Sequence, residues 1–222
     1  MVIILSLILS FFLPFLWIYF FSRKDKNKEP FPWLILAIVL GMIATYFSFK
    51  TQRKIDNFIT NIWMEYLVFA FIEEFFKFFF VWLIIFHHKV FNEAIDAMIY
   101  MMFSALGFAF VENFLYASAG DIYTQVFTIL ILRFLSADLL HIVASSLIGF
   151  GYAISLITRS FYPFFLSFSS GFILHFLYNY IIKQSVMTSS IGFTVSFFGF
   201  IPVLLWLGFL VVLKELNYLS HE

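Results

Sequence analysis

With 222 residues, 63% of them hydrophobic and 12% charged, and a mean hydropathy of +1.00, the chain has no water-facing side and is no soluble domain. Thirteen basic and thirteen acidic residues cancel, so neither nucleic acid nor an anionic surface is indicated as a partner. The absence of cysteine rules out disulfides, thiolate catalysis and cysteine metal sites. A spanning helix needs about 20 apolar residues, which leaves room for roughly seven or eight helices and no second, soluble domain. Uninterrupted apolar runs exclude the alternating pattern of a barrel. The expected fold is therefore one all-α, polytopic membrane domain over residues 1–222.

Residues 1–22 are apolar and lack both a basic start and a small-residue cleavage site; positive charge follows in Arg23-Lys24-Asp25-Lys26-Asn27-Lys28-Glu29. This predicts an uncleaved first span with a cytoplasmic exit loop and an outside amino terminus. A second span is expected over 32–49, a polar loop over 50–57, and a third span over 62–86 ending at His87-His88-Lys89. The fourth covers 94–119, and Gly120-Asp121 opens a turn. The apolar stretch 123–158 is too long for one ordinary span; it predicts a short re-entrant or tilted helix ahead of a full one, broken near Ser136. Spans over 161–182 and 191–213 bring the count to seven. Lys89, Arg159 and Lys214 then fall on the cytoplasmic side, whereas Lys50, Arg53 and Lys54 fall outside, against the positive-inside rule. The 36 phenylalanines are expected to face lipid.

Polar groups interrupt these runs at few places. The third span carries Glu73-Glu74-Phe75-Phe76-Lys77, in which Lys77 can reach Glu73 at i+4 or Glu74 at i+3. The fourth has Asp96-Ala97-Met98-Ile99-Tyr100 and, deeper, Gly107-Phe108-Ala109-Phe110-Val111-Glu112-Asn113, with Tyr116 one turn on. Arg133, Asp138 and His141 lie in the long stretch; Ser145 and Gly149 follow His141 on one face. His175 and Asn179 share a face of the next helix. Facing lipid, Glu73, Glu74, Lys77, Glu112, Arg133 and Asp138 would together cost more than about 10 kcal/mol. They must converge on one another, on water or on an ion, as polar groups do in the core of a helix bundle.

Two chemistries suit such a cluster. In one, Glu73 or Glu74 is the general base that activates a water, while His141, His175 and Asn179 polarise the scissile carbonyl and hold the oxyanion. In the other, His141, His175 and a glutamate bind zinc with an open position for water, and the remaining glutamate is the base. Blander roles compete for each residue. Glu74–Lys77 alone reads as a structural ion pair, single histidines as interhelical glue, and Asp96 and Asp138 as helix caps. Arg133 reads as structural, paired to an acid. Gly107, Gly149 and Gly151 read as sites of close helix packing.

In its order of motifs the chain resembles the PrsW-type intramembrane proteases, distant relatives of the CAAX prenyl endopeptidases. The family's Glu-Glu-x-x-Lys matches Glu73-Glu74-Phe75-Phe76-Lys77; its Asp-Gly-hydrophobic-hydrophobic-Tyr matches Asp96 to Tyr100, with Ala97 in place of glycine. Its Gly-Phe-Ala-x-x-Glu-Asn matches Gly107 to Asn113. Arg133, then His141 followed by Gly149, and His175 through Asn179 complete the order; Leu140 stands where a small residue is common. The likeness covers about residues 72–180, within a catalytic core of about 62–182. It implies hydrolysis of a membrane-anchored protein near or within its span, in well-known members a single-span anti-sigma factor cut on its outer side. Carried over by position, Glu73 and Glu74 are catalytic and Glu112, His141 and His175 complete the site, with Asn179 beside them. Lys77, Asn113 and Arg133 take orienting roles. The family is classed with metalloproteases, which implies Glu112, His141 and His175 as ligands of a zinc ion; its CAAX relatives are argued to use glutamate and water without metal. The implied location is the plasma membrane. The competing readings are a proton- or metal-coupled transporter, which would need a path to both sides, and a non-catalytic scaffold.

Overall fold

The computed structural model describes residues 28–118 and 123–188 without a break, and only scattered positions outside them. Apart from a short 3-10 turn at Asp56–Phe58, its regular structure is α-helical: α1 (Phe31–Ile55), α2 (Ile62–Ile84), α3 (Ala94–Ser118), α4 (Tyr123–Leu135), α5 (Ala137–Thr158) and α6 (Tyr162–Thr188). Four segments are long and apolar enough to cross a membrane: Phe31–Phe58, Ala94–Ser118, Val126–Thr158 and Tyr162–Gln184. At 23 residues α2 has a span's length, but Glu65, Glu73, Glu74 and Lys77 set it apart in composition. The expected spans over 1–22 and 191–213 and the turn at Gly120-Asp121 lie outside the described residues.

Helix ends follow local chemistry. Pro30 and Pro32 pre-set the start of α1. Asn61 caps α2, its side chain accepting from the backbone N–H of Trp63 (2.9 Å) and Met64 (3.4 Å). Asp96 does act as a cap: its Oδ2 accepts from the N–H of Asn92 and Glu93 at 2.9 and 2.8 Å ahead of α3. Asp138 does not; it faces α3 instead, where Asn113 donates to it. The expected break sits at Ser136, leaving α4 with 13 residues, about 20 Å of helix and too short to span.

A second expectation is corrected as well. Residues 50–57 are mostly not a loop: α1 runs on to Ile55, because nothing between Lys50 and Ile55 breaks a helix and Gln52 finds a buried partner.

The bundle is built around α3, in which every residue from Ile95 to Ala109 is buried. On its two sides lie α1 and α5, with α2 and α6 closing the ring. Small residues let the backbones meet. A Cβ at Gly41 would strike the Ser104 carbonyl, one at Gly107 the backbone of Ile38, and one at Gly149 the backbone of Ala97 and Met98. Gly107 and Gly149 are packing glycines, as read from the sequence, and Gly41 joins them. Large apolar side chains cover the outside instead, among them Ile35, Val39 and Ile43 on α1, Phe71 and Phe75 on α2, and Phe165 and Ile173 on α6. So broad an exposed apolar belt suits lipid, not water.

Candidate active site

The middle of α2 places Glu73, Glu74 and Lys77 toward the bundle interior. Glu74 and Lys77 are fully buried and paired at 2.6 Å. Glu74 is saturated with donors: besides Lys77, His175 Nδ1 lies 2.8 Å from its Oε1 and Ser145 Oγ donates to its Oε2 at 2.9 Å. Glu73, one residue earlier, is held differently. Its Oε1 accepts from Gln52 Nε2 at 2.9 Å, while its buried Oε2 has no hydrogen-bond partner among the described residues and stands 3.5 Å from His175 Nε2. Two adjacent carboxylates thus occupy different situations, one fixed and one with an oxygen to spare.

His141, from the start of α5, joins this group to a second one. Lys77 Nζ lies 2.9 Å from its Nδ1 and Glu112 Oε2 lies 2.8 Å from its Nε2. An ammonium has only protons to offer, so in this arrangement Nδ1 accepts and the Nε2–H donates to Glu112. The same logic makes His175 a donor through Nδ1 to Glu74, which leaves its Nε2 facing Glu73. The two imidazoles meet edge-on, 4.8 Å between centroids.

Beyond Glu112 the polar chain continues. Arg133 reaches Glu112 Oε2 through Nη2 at 3.0 Å and Asn113 Oδ1 through Nε at 2.5 Å, with its guanidinium 4.2 Å over the Tyr116 ring. Asn113 passes its amide N–H to Asp138 Oδ1 at 2.9 Å. Arg133 is therefore paired to an acid, as expected, and that acid touches His141. The short α4 positions this arginine.

A cavity of about 550 Å³ exposes part of the cluster. Glu73, Glu112, Arg133, His141 and Asn179 line it, with Gln52 beside Glu73. Glu74, Lys77 and Asn113 stand behind and hold the lining residues in place. Its walls come from the end of α1, the start of α2, the end of α3, the α4–α5 break and the end of α6. All of these lie at one end of the bundle. Gln52 and Ser145 are the contributors least visible in the sequence. Gln52 stands in a polar segment that reads as a loop, and Ser145 signals only that one face of α5 is small and polar.

Glu73, His141 and His175 each offer a ligand atom, and these atoms lie within 4.8 Å of one another. Two imidazoles and a carboxylate are a known catalytic zinc set, so the group can hold a metal by donor kind and by spacing. The histidines are those expected; the carboxylate is Glu73, whereas Glu112 was expected and is here engaged by Arg133 and His141. A metal on His141 Nε2 needs the ring proton on Nδ1, and Lys77 would then bond Glu74 alone.

Residues 29–207 match the model of a family described as PrsW family intramembrane metalloprotease. Among similar proteins, the "Protease PrsW" of Oceanobacillus iheyensis is 29% identical over 87% of this chain and 87% of its own. That of Geobacillus kaustophilus is 27% identical over 74% and 73%, and that of Bacillus subtilis 26% over 44% and 46%. No solved structure matches. The family match takes in every helix on which the buried carboxylates and histidines stand; the chain belongs to the PrsW family of intramembrane metalloproteases and is an integral membrane peptidase.

Proposed function

We propose that the chain hydrolyses a peptide bond of a membrane-anchored protein with Glu73 as general base. The observation that carries this is Glu73 on the wall of a cavity open at one end, with a buried Oε2 that accepts no hydrogen bond among the described residues. A base needs a free lone pair beside the substrate cavity, and Glu73, which lines the cavity, keeps one oxygen free of hydrogen bonds among the described residues. Glu74 has none: its oxygens hold Lys77, His175 and Ser145, so its role is to fix His175 and balance the lysine. The Asn179 side chain on the same wall is suited to polarise the scissile carbonyl and hold the oxyanion, whereas the Nε2–H of His141 is held by Glu112. Glu112, clamped by Arg133, orients His141.

Glu73, His141 and His175 are the residues that would hold zinc. A bound zinc ion would supply Lewis acidity and lower the pKa of a water held there. In that case Glu74 is the carboxylate that orients the His175 ring from its far side.

Charge argues for the orientation. Among the described residues, Lys28, Lys89 and Arg159 lie at the end opposite the cavity mouth, which supports a cytoplasmic face there and an outward mouth. A first span over 1–22 then starts outside, α2 is itself a span, and with 191–213 the bundle reaches seven spans in the plasma membrane. The substrate class is a single-span protein of the anti-sigma-factor kind, cut on its outer side. One-ended access favours this over a transporter, which needs a path to both faces.

The test uses wild-type, Glu73→Gln and Glu74→Gln chains purified in detergent and reconstituted with a single-span reporter protein. Fragments are followed on gels, melting temperature by scanning fluorimetry and metal by mass spectrometry. Glu73→Gln is expected to lose cleavage at an unchanged melting temperature, and Glu74→Gln to lose both. A Glu73→Gln chain that still cuts removes Glu73 as the base.

A further inference from the structure

Beside the mouth of the cavity, a second hollow of about 510 Å³ is lined by Tyr46, Phe49, Lys50, Arg53 and Lys54 of α1. Phe49 belongs to both hollows, and Gln52, between the basic residues, lines the catalytic one. Lys50, Arg53 and Lys54 fall at i, i+3 and i+4, a single face of the last helical turns. All three are exposed, and none is in an ion pair with an acid among the described residues. Lys50 lies 5.8 Å over the Tyr46 ring. Across the mouth, exposed Lys183 of α6 lines the catalytic cavity itself. Among the described residues, the acids at the surface of this end, Asp56 and Glu65, are outnumbered.

If the mouth faces outward, this positive charge runs against the bias that keeps lysine and arginine on the cytoplasmic side. Solubility does not require it, and the cavity chemistry already has its own cations in Lys77 and Arg133. We propose that Lys50, Arg53 and Lys54, with Lys183 opposite, form the docking surface for an acidic juxtamembrane segment of the substrate, next to the scissile bond. This rests on the hydrolytic reading of the cavity. Because Phe49 borders both hollows, a polypeptide with its bond at Glu73 that leaves the cavity past Phe49 would meet the strip. A lipid headgroup could also meet the α1 residues, but Lys183 stands on the opposite rim within the peptide-sized cavity. Charge complementarity of this kind sets partner choice and encounter rate more than it sets total affinity.

Binding tests the surface apart from hydrolysis. The probe is a fluorescent single-span peptide whose outer flank carries aspartate and glutamate, compared with its asparagine and glutamine twin. Both are titrated onto the full Glu73→Gln chain in phosphatidylcholine nanodiscs. The acidic peptide is expected to bind about tenfold tighter, and most of that preference should vanish near 0.5 M salt. It should vanish also in a Lys50→Gln, Arg53→Gln, Lys54→Gln chain of unchanged melting temperature. The charge-reversed Lys50→Glu, Arg53→Glu, Lys54→Glu chain should instead prefer a lysine-flanked peptide. Equal binding of the twins, or a preference that survives neutralisation, overturns the surface. So does a preference lost in phosphatidylglycerol nanodiscs with native mass spectra showing that lipid held by the unsubstituted strip alone, which would make the groove a lipid site. Cleavage of both twins by the wild-type chain is read separately: if it occurs while binding is equal, only the docking surface falls. If acidic preference holds and nothing is cut, the surface stands and the hydrolytic reading falls.

Discussion

Lys77 is the residue on which the buried charge balance turns. It is fully buried, 2.6 Å from Glu74 and 2.9 Å from His141, with its ammonium 4.3 Å from the centre of the Phe108 ring. Replacing it by methionine keeps most of the apolar stem of the side chain and strands Glu74 without a countercharge. Removing one partner of a buried pair typically costs about 3–5 kcal/mol. Lys77→Met is therefore expected to lower stability toward SDS or heat by that order. Adding Glu74→Gln should restore a substantial part, since the second change removes the stranded charge. Additive losses in the double-mutant cycle would show that the two residues are not coupled. Much of this pairing was legible from spacing alone, because a lysine three residues after a glutamate on one helix has few other partners inside a membrane. The asymmetry between Glu73 and Glu74 was not legible. It arises from Gln52, Ser145 and His175, which come from three other helices, and no local pattern fixes which neighbour faces which carboxylate. The carboxylate placed to join a metal site shows the same limit. The resemblance implies Glu112, while the turn of α2 brings a Glu73 oxygen within 4.8 Å of the histidine ligand atoms and Arg133 draws on Glu112.

At the scale of elements, apolar run length read most helices closely, and failed where polarity was taken for a loop. The polar stretch after Phe49 is helical because a helix leaving a bilayer can carry lysine and arginine as easily as leucine. What distinguishes its residues is the direction they face, which depends on α2. The break at Ser136 was legible because two lengths of helix cannot share one bilayer crossing, whatever packs on them. Element contacts also hinge on absent side chains. At the α1–α3 crossing, Gly41 meets the Ser104 carbonyl while Gly107 meets the Ile38 backbone, so neither side can yield by moving a flexible side chain. Gly107→Ala is expected to destabilise by about 1–3 kcal/mol through forced separation of the helices. Ser170→Ala on the exposed face of α6 should stay within about 0.5 kcal/mol. Because α3 also carries Glu112, the Gly107 variant should lose activity along with stability. A Gly107→Ala chain that melts like the wild type would mean that the crossing is looser than its backbone contacts imply.

For the whole molecule, the arrangement of helix ends decides what the buried cluster can serve. Cavity walls come from the end of α1, the start of α2, the end of α3 and the end of α6, so the mouth sits with Lys183 and Arg53. Lys89, before α3, and Arg159, after α5, lie at the other end. The chain has no cysteine, so single cysteines can be introduced without background. Exposed positions at both ends are available: Arg53 and Lys183 at the mouth, Lys89 and Arg159 opposite. With a membrane-impermeant maleimide on intact cells, Arg53→Cys and Lys183→Cys are expected to label, and Lys89→Cys and Arg159→Cys only after permeabilisation. That pattern puts the catalytic mouth outside the cell and limits substrates to chains with an outer juxtamembrane segment. The inverse pattern would turn the mouth to the cytoplasm and exclude outer-side cleavage while leaving the site chemistry intact. Labelling of all four from outside would contradict a spanning bundle with its charged ends on opposite faces. Orientation thus separates two questions that the cluster alone leaves joined: which bond the site can hydrolyse, and from which side a substrate must arrive.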